Sequence, residues 1–247
     1  TDRSRGLGDV YKRQEQKLFI ISTEYIFFMF FRQEVIIMTT FDKILAGGII
    51  TIIRGLSPDC AEKTVEAIHA GGLHLAEITF DQTAPPKVTA DIIRTLSRQF
   101  EGKVLIGAGT VMTLEQLHAA YNAGAAYIIS PNADSSVIRE TKRLGLLSMP
   151  GAYTATEVAR CYAEGADIVK VFPSDSAGPG YIKALRGPLH HIPLAAVGGV
   201  NLDNIRDFFD AGARCVGIGS NIVSKQAVQA GDFDRIRLLA AAYAAKL

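Results

Sequence analysis

The feature that most constrains this chain is a unit that recurs along it: an amphipathic segment, a glycine near its end, a short β-branched run, then a small polar loop. The glycine step reads Ala-Gly-Gly at 70–72, Ala-Gly-Ala at 123–125, Leu-Gly-Leu at 144–146, Glu-Gly-Ala at 164–166 and Ala-Gly-Ala at 211–213. Each precedes a strand candidate, at 74–80, 127–130, 147–149, 168–172 and 215–219. Glycine tolerates the left-handed backbone that ends a helix, so the chain can turn straight into the next strand. Runs at 49–54, 104–108 and 194–197 bring the strand candidates to eight. Strands alternating with helices pair in parallel through right-handed crossovers. Runs such as Ile-Ile-Thr-Ile-Ile at 49–53 and Ile-Val-Lys-Val-Phe at 168–172 are apolar on both parities, as strands covered on both faces should be.

Eight such units with no linker predict an α/β fold, a compact single-domain (β/α)8 TIM barrel. An open doubly wound sheet would show fewer strands and a glycine-rich dinucleotide turn after the first. The turn here is Arg54-Gly55-Leu56-Ser57-Pro58. Ser57, Thr113, Asp134, Thr154 and Asn201 are expected to cap the helices that follow them, and residues 39–46 to form a short helix closing the barrel bottom.

Composition narrows the function. The chain carries 26 basic and 25 acidic side chains, so no basic face is expected to track nucleic acid. Cys60, Cys161 and Cys215 form no CxxC pair, which suits a reducing, cytoplasmic setting. Residues 1–37 stand apart: they hold five of the twelve phenylalanines and none of the glycine-punctuated units. Their apolar run at 18–31 falls short of the roughly 20 residues that span a bilayer. They read as a non-native or leader segment, with Met38 starting the working domain and no membrane partner expected.

Chemistry in such barrels sits at the carboxyl ends of the strands. Lys170 lies in the middle of the sixth apolar run, where burial disfavours an ammonium and lowers its pKa. A neutral amine is what Schiff-base chemistry with a carbonyl compound requires. A lysine that snorkels to the rim, or that only neutralises a carboxylate, is the competing account. Glu77, in the second run, has the matching parity on the opposite side of an eight-stranded barrel, so the two could meet near its centre. The pair suits a proton shuttle beside a nucleophile, or is a plain buried ion pair.

Three further features join them. Gly107-Ala108-Gly109-Thr110 ends the third strand with small residues that would let a ligand approach the backbone, with Thr110 adding a hydroxyl, or is an ordinary strand-to-helix turn. Arg54, at the same rim, is the natural anchor for a substrate carboxylate, or a solvated arginine. Gly198-Gly199-Val200-Asn201 and Gly217-Ile218-Gly219-Ser220-Asn221 follow the seventh and eighth strands, where such barrels hold phosphate. The five histidines show no metal-ligand spacing, so neither metal nor cofactor is expected.

These residues in this order resemble the class I aldolases of 2-keto-3-deoxy-6-phosphogluconate and 4-hydroxy-2-oxoglutarate. The resemblance runs from about Thr39 to Leu247. It is carried by Glu-Ile-Thr (77–79), Ile-Gly-Ala-Gly-Thr-Val (106–111), Ile-Ser-Pro (129–131), Met-Pro-Gly (149–151), Val-Lys-Val-Phe-Pro (169–173), Val-Gly-Gly-Val (197–200) and Gly-Ile-Gly-Ser (217–220). It implies that Lys170 forms the Schiff base, Glu77 acts as acid and base, and Thr110 contacts the pyruvyl part. Gly198, Gly199, Gly219 and Ser220 would hold phosphate, and Pro131, Phe172 and Val197 complete the substrate-binding set with Arg54. It also implies a metal-free homotrimer that releases pyruvate and an aldehyde from a small-molecule substrate. Two departures stand out. Asp81 occupies a position where many members have arginine, and Val197 precedes Gly-Gly where gluconate-type enzymes usually have threonine. Val197, with Gly-Pro-Gly-Tyr-Ile-Lys-Ala-Leu at 178–185, resembles the galactonate-type branch, which cleaves the fourth-carbon epimer. A phosphate-sugar isomerase or epimerase on the same barrel, or a regulatory barrel without turnover, is the alternative.

Overall fold

The alternation of strand and helix closes on itself. The computed structural model describes residues 38–247, so the leader expectation for residues 1–37 lies outside the described residues. Helix α1 (Thr40–Gly47) opens the described chain; Thr39 and Asp42 cap it reciprocally. Nine parallel strands follow: β1 (Ile49–Ile53), β2 (Leu75–Thr79), β3 (Leu105–Gly109), β4 (Tyr127–Ile129), β5 (Leu147–Met149), β6 (Gly151–Ala152), β7 (Val169–Val171), β8 (Leu194–Val197) and β9 (Cys215–Ile218). Their order is β5-β4-β3-β2-β1-β9-β8-β7-β6.

The two ends of that order, β5 and β6, are consecutive pieces of one barrel strand broken at Pro150, which has no backbone N–H to donate. The expected eight barrel strands are therefore present, with the fifth split. Lys170 N donates to Pro150 O across the break. A sheet whose two edges are halves of a single strand is a closed barrel.

Side-chain alternation sorts the core into two shells. Ile49, Ile53, Ala76, Ile78, Ile106, Val169, Val171 and Val216 pack outward beneath the helices. Ile50, Leu75, Tyr127, Ile129, Leu147, Met149, Ile168, Ala195 and Cys215 fill the interior, with Ile44 of α1 sealing the bottom. Both parities of a strand are thus buried in apolar surroundings, which is why the runs are apolar throughout.

Helix starts follow the capping residues. The side chains of Ser57, Thr113, Asp134 and Thr154 accept backbone N–H bonds at the starts of their helices. Asn201 is a correction. Its Oδ1 accepts from the N–H groups of Asp203 and Asn204, closing a local turn, and the helix starts only at Ile205. No helix among the described residues is long and apolar enough to cross a membrane.

Candidate active site

A cavity of about 610 Å³ opens at the carboxyl ends of the strands. The structure places Arg54, Glu77, Thr110, Pro131, Lys170, Phe172, Val197, Gly198, Gly199, Gly219 and Ser220 in its lining. β2 and β7 stand four places apart in either direction around the barrel, so Glu77 and Lys170 approach from opposite walls. Lys170 registers against Gly151 on one side and Ala195 on the other, small residues that leave room for an inward-pointing long side chain.

Glu77 is 2% and Lys170 6% exposed. No ion pair within 4.0 Å joins them, which argues against the plain buried salt bridge. Burial pushes the Glu77 carboxyl up, opposed by the positive charges of Lys170 and Arg54. Burial likewise pulls the Lys170 amine down, opposed by Glu77 and assisted by Arg54. Each group is driven toward its neutral form, so Lys170 can present a lone pair and Glu77 can hold a proton. The Lys170 Nζ also sits 4.7 Å from the centroid of the Phe172 ring, which forms part of the cavity wall. Lys170 does not snorkel to the rim.

The small residues of β3 act differently from expectation. A Cβ on Gly107 would collide with the Tyr127 ring, and one on Gly109 would land on the Glu77 carboxylate. These glycines make room for the protein's own interior side chains, so the ligand-approach reading is corrected. Tyr127, whose hydroxyl donates to Ala76 O at 2.7 Å, forms the floor beneath Glu77. Gly109→Ala is expected to displace the carboxylate and lower kcat/KM by about 100-fold, as misplacement by about an ångström does. Steady-state kinetics check this, and an unchanged kcat/KM would show that Glu77 needs no such niche.

The phosphate-type loops meet at the other side of the cavity. Gly198 and Gly199 both adopt left-handed backbone, with φ of 98° and 73°. Asn204 Nδ2 donates to Gly199 O at 3.0 Å within the first loop, and Asn221 Nδ2 donates to Val200 O at 2.8 Å, tying the second loop to the first. Among the described residues the N–H groups of Gly199, Ser220 and Asn221 donate to no backbone acceptor. Such a nest of free amides suits an anion.

Two cation-bearing positions frame the ends: Arg54 beside the Glu77–Lys170 pair, and Lys225 at the start of helix Lys225–Ala230. Sequence reasoning missed Lys225; a basic residue just after a Gly-Ile-Gly-Ser loop was the available signal. Asp81 is turned away. It does not line this cavity, and its carboxylate accepts from the Thr83 N–H and hydroxyl, which hold its pKa below the usual value. Tyr153 stacks on Tyr181, with ring centroids 5.4 Å apart, and does not line the cavity.

The KDPG and KHG aldolase family model matches residues 41–239. The chain is 38% identical to the 2-dehydro-3-deoxy-6-phosphogalactonate aldolase of Escherichia coli K12, over 75% of this chain and 92% of that protein. It is 30% identical to the 2-dehydro-3-deoxy-phosphogluconate aldolase of Treponema pallidum, over 82% of this chain and 94% of that one. Among solved structures, the Legionella pneumophila KDPG aldolase with pyruvate captured as a covalent carbinolamine superposes with a TM-score of 0.75 at 28% identity, covering 83% of this chain and 98% of that one. A buried amine opposite a buried carboxyl, set in a closed parallel barrel and matched by these relatives over most of their length, leads to one conclusion: the chain belongs to the KDPG and KHG aldolase family and is a carbon–carbon lyase.

Proposed function

We propose that residues 38–247 form the catalytic domain of a class I aldolase that cleaves 2-keto-3-deoxy-6-phospho sugar acids to pyruvate and glyceraldehyde 3-phosphate. The observation that carries this reading is the burial of Lys170 with a lowered pKa, facing Glu77 in the cavity that also holds the two glycine loops. The neutral amine attacks the 2-keto carbon, Glu77 gives up the proton with which the carbinolamine hydroxyl leaves as water, and a protonated imine remains opposite the Glu77 carboxylate. The bond between the third and fourth carbons breaks with its electron pair entering the imine as an enamine. The fourth-carbon hydroxyl gives its proton to Glu77, through a bridging water, and the aldehyde leaves. Glu77 returns a proton to the third carbon, and hydrolysis frees pyruvate and the amine.

Arg54 would hold the ketoacid carboxylate, Thr110 would contact the same end, and Pro131, Phe172 and Val197 would shape the wall. Gly198, Gly199, Gly219 and Ser220 would hold the phosphate, with Lys225 adding charge. The resemblance supports a homotrimer acting in the cytoplasm. It also supports 4-hydroxy-2-oxoglutarate, cleaved to pyruvate and glyoxylate, as a further substrate. An isomerase or epimerase would use Glu77 as a base and need no reactive amine; the lowered Lys170 pKa favours the aldolase.

Val197 bears on which epimer is cleaved. An apolar wall offers no hydrogen bond to a substrate hydroxyl, and such walls reject isosteric alternatives weakly. Side-by-side assays are expected to show turnover of both phosphorylated epimers, with the galactonate form at least matching the gluconate form. Unphosphorylated 4-hydroxy-2-oxoglutarate, which forgoes the glycine loops, is expected to show a higher KM. Failure of both phosphorylated epimers to turn over would reject the assignment.

A further inference from the structure

We infer that Gln82 and Gln116 are positioning residues that hold Thr110 in the conformation in which it lines the cavity. Thr110, immediately after β3, has φ of 54° and is the one non-glycine residue with positive φ among the described residues. A β-branched side chain is unfavourable there and persists only where its surroundings fix the backbone. Three bonds fix it. Gln82 Nε2 donates to Thr110 O at 2.9 Å. The Met112 N–H donates to Gln116 Oε1 at 2.8 Å. The Val111 N–H between them donates to Ile129 O at 3.2 Å.

The two amides are joined. Gln116 Nε2 donates to Gln82 Oε1 at 3.0 Å, so each amide uses its oxygen as acceptor and its nitrogen as donor, and the chain has one direction. Gln116 is buried, anchored on helix Leu114–Ala123, whereas Gln82 lies in the exposed loop after β2. The pair therefore straps the loop beyond Glu77 to the loop beyond Gly109, across 34 residues of sequence. Neither glutamine lines the cavity; both act through Thr110. With the strap gone, Thr110 can relax toward ordinary backbone and withdraw from the ketoacid end.

This inference rests on the proposed contact between Thr110 and the ketoacid, and the test separates the two. Borohydride trapping of pyruvate is measured against pyruvate concentration. Gln116→Leu is expected to raise the half-saturating concentration about tenfold, as loss of a buried hydrogen-bond partner does, with the saturated trapping rate within about twofold of the parent. Gln82→Leu, at an exposed position that leaves the core intact, should shift it the same way. Thr110→Gly adopts positive φ without support, so adding Gln116→Leu to it should have less than about a twofold further effect. An unchanged half-saturation in both glutamine variants, or the full tenfold effect persisting beside Thr110→Gly, would overturn the strap. Thr110→Val, which lacks the hydroxyl, tests the contact: no change there defeats the ketoacid reading of Thr110 and the inference with it.

Discussion

Lys170→Met is expected to remove carbon–carbon cleavage, by more than about 10⁴-fold, because the covalent route supplies most of an acceleration that is at least about 10⁶ in enzymes generally. Borohydride and pyruvate should label the parent protein at position 170 and leave the variant unlabelled. Binding of inorganic phosphate, which the glycine loops would perform, should survive. Stability should move the other way. The folded-state pKa of Lys170 lies below the ordinary 10.5, so between those two values the unfolded chain binds more protons. Stability then rises with pH across that window, and at neutral pH the buried amine weakens the fold. Methionine fills similar volume without a charge, so its Tm at pH 7 should equal or exceed that of the parent. Cleavage retained in this variant would refute the lysine's role outright.

Glu77→Gln preserves shape and removes the titrating proton; kcat should fall by about 10²–10⁴-fold, the usual range for a general acid–base. Its effect on pH dependence has a definite sign. The Glu77 charge holds the Lys170 pKa up, while Arg54 presses it down. The pH midpoint of pyruvate trapping should therefore move to lower pH in Glu77→Gln and to higher pH in Arg54→Met. Shifts in the same direction would show that the three groups are not coupled as the structure indicates. The stability sign is also fixed. The folded-state pKa of Glu77 is raised above 4.5, so its contribution is fully present below that pH and is lost as pH rises through the raised value.

Much of this was legible in the sequence because it depends on neighbours along the chain. A glycine ending a helix, a serine before proline at 57–58, or a threonine before an amphipathic run each acts within one turn. Parity did the rest, placing Glu77 and Lys170 inside the barrel. What escaped depends on partners distant in sequence. Gly109 is small because Glu77 occupies its niche, and Gln116 matters because Gln82 reaches it from another loop. Asn201 looked like a helix cap because the local pattern cannot distinguish a cap from a turn that delays the helix. The break at Pro150 was visible as a residue, but its consequence, one strand serving as both edges of the sheet, is topological.

The sealed floor has a kinetic consequence. Ile44 and Tyr127 close the interior from below, while Lys170 sits deep and the glycine loops lie nearer the mouth, so the cavity behaves as a blind tunnel. Traffic in a blind tunnel is last in, first out. With the roles proposed for Lys170 and the glycine loops, pyruvate would load before the aldehyde in the condensing direction, and in cleavage the phosphorylated fragment would depart while the three-carbon unit is still tethered at the bottom.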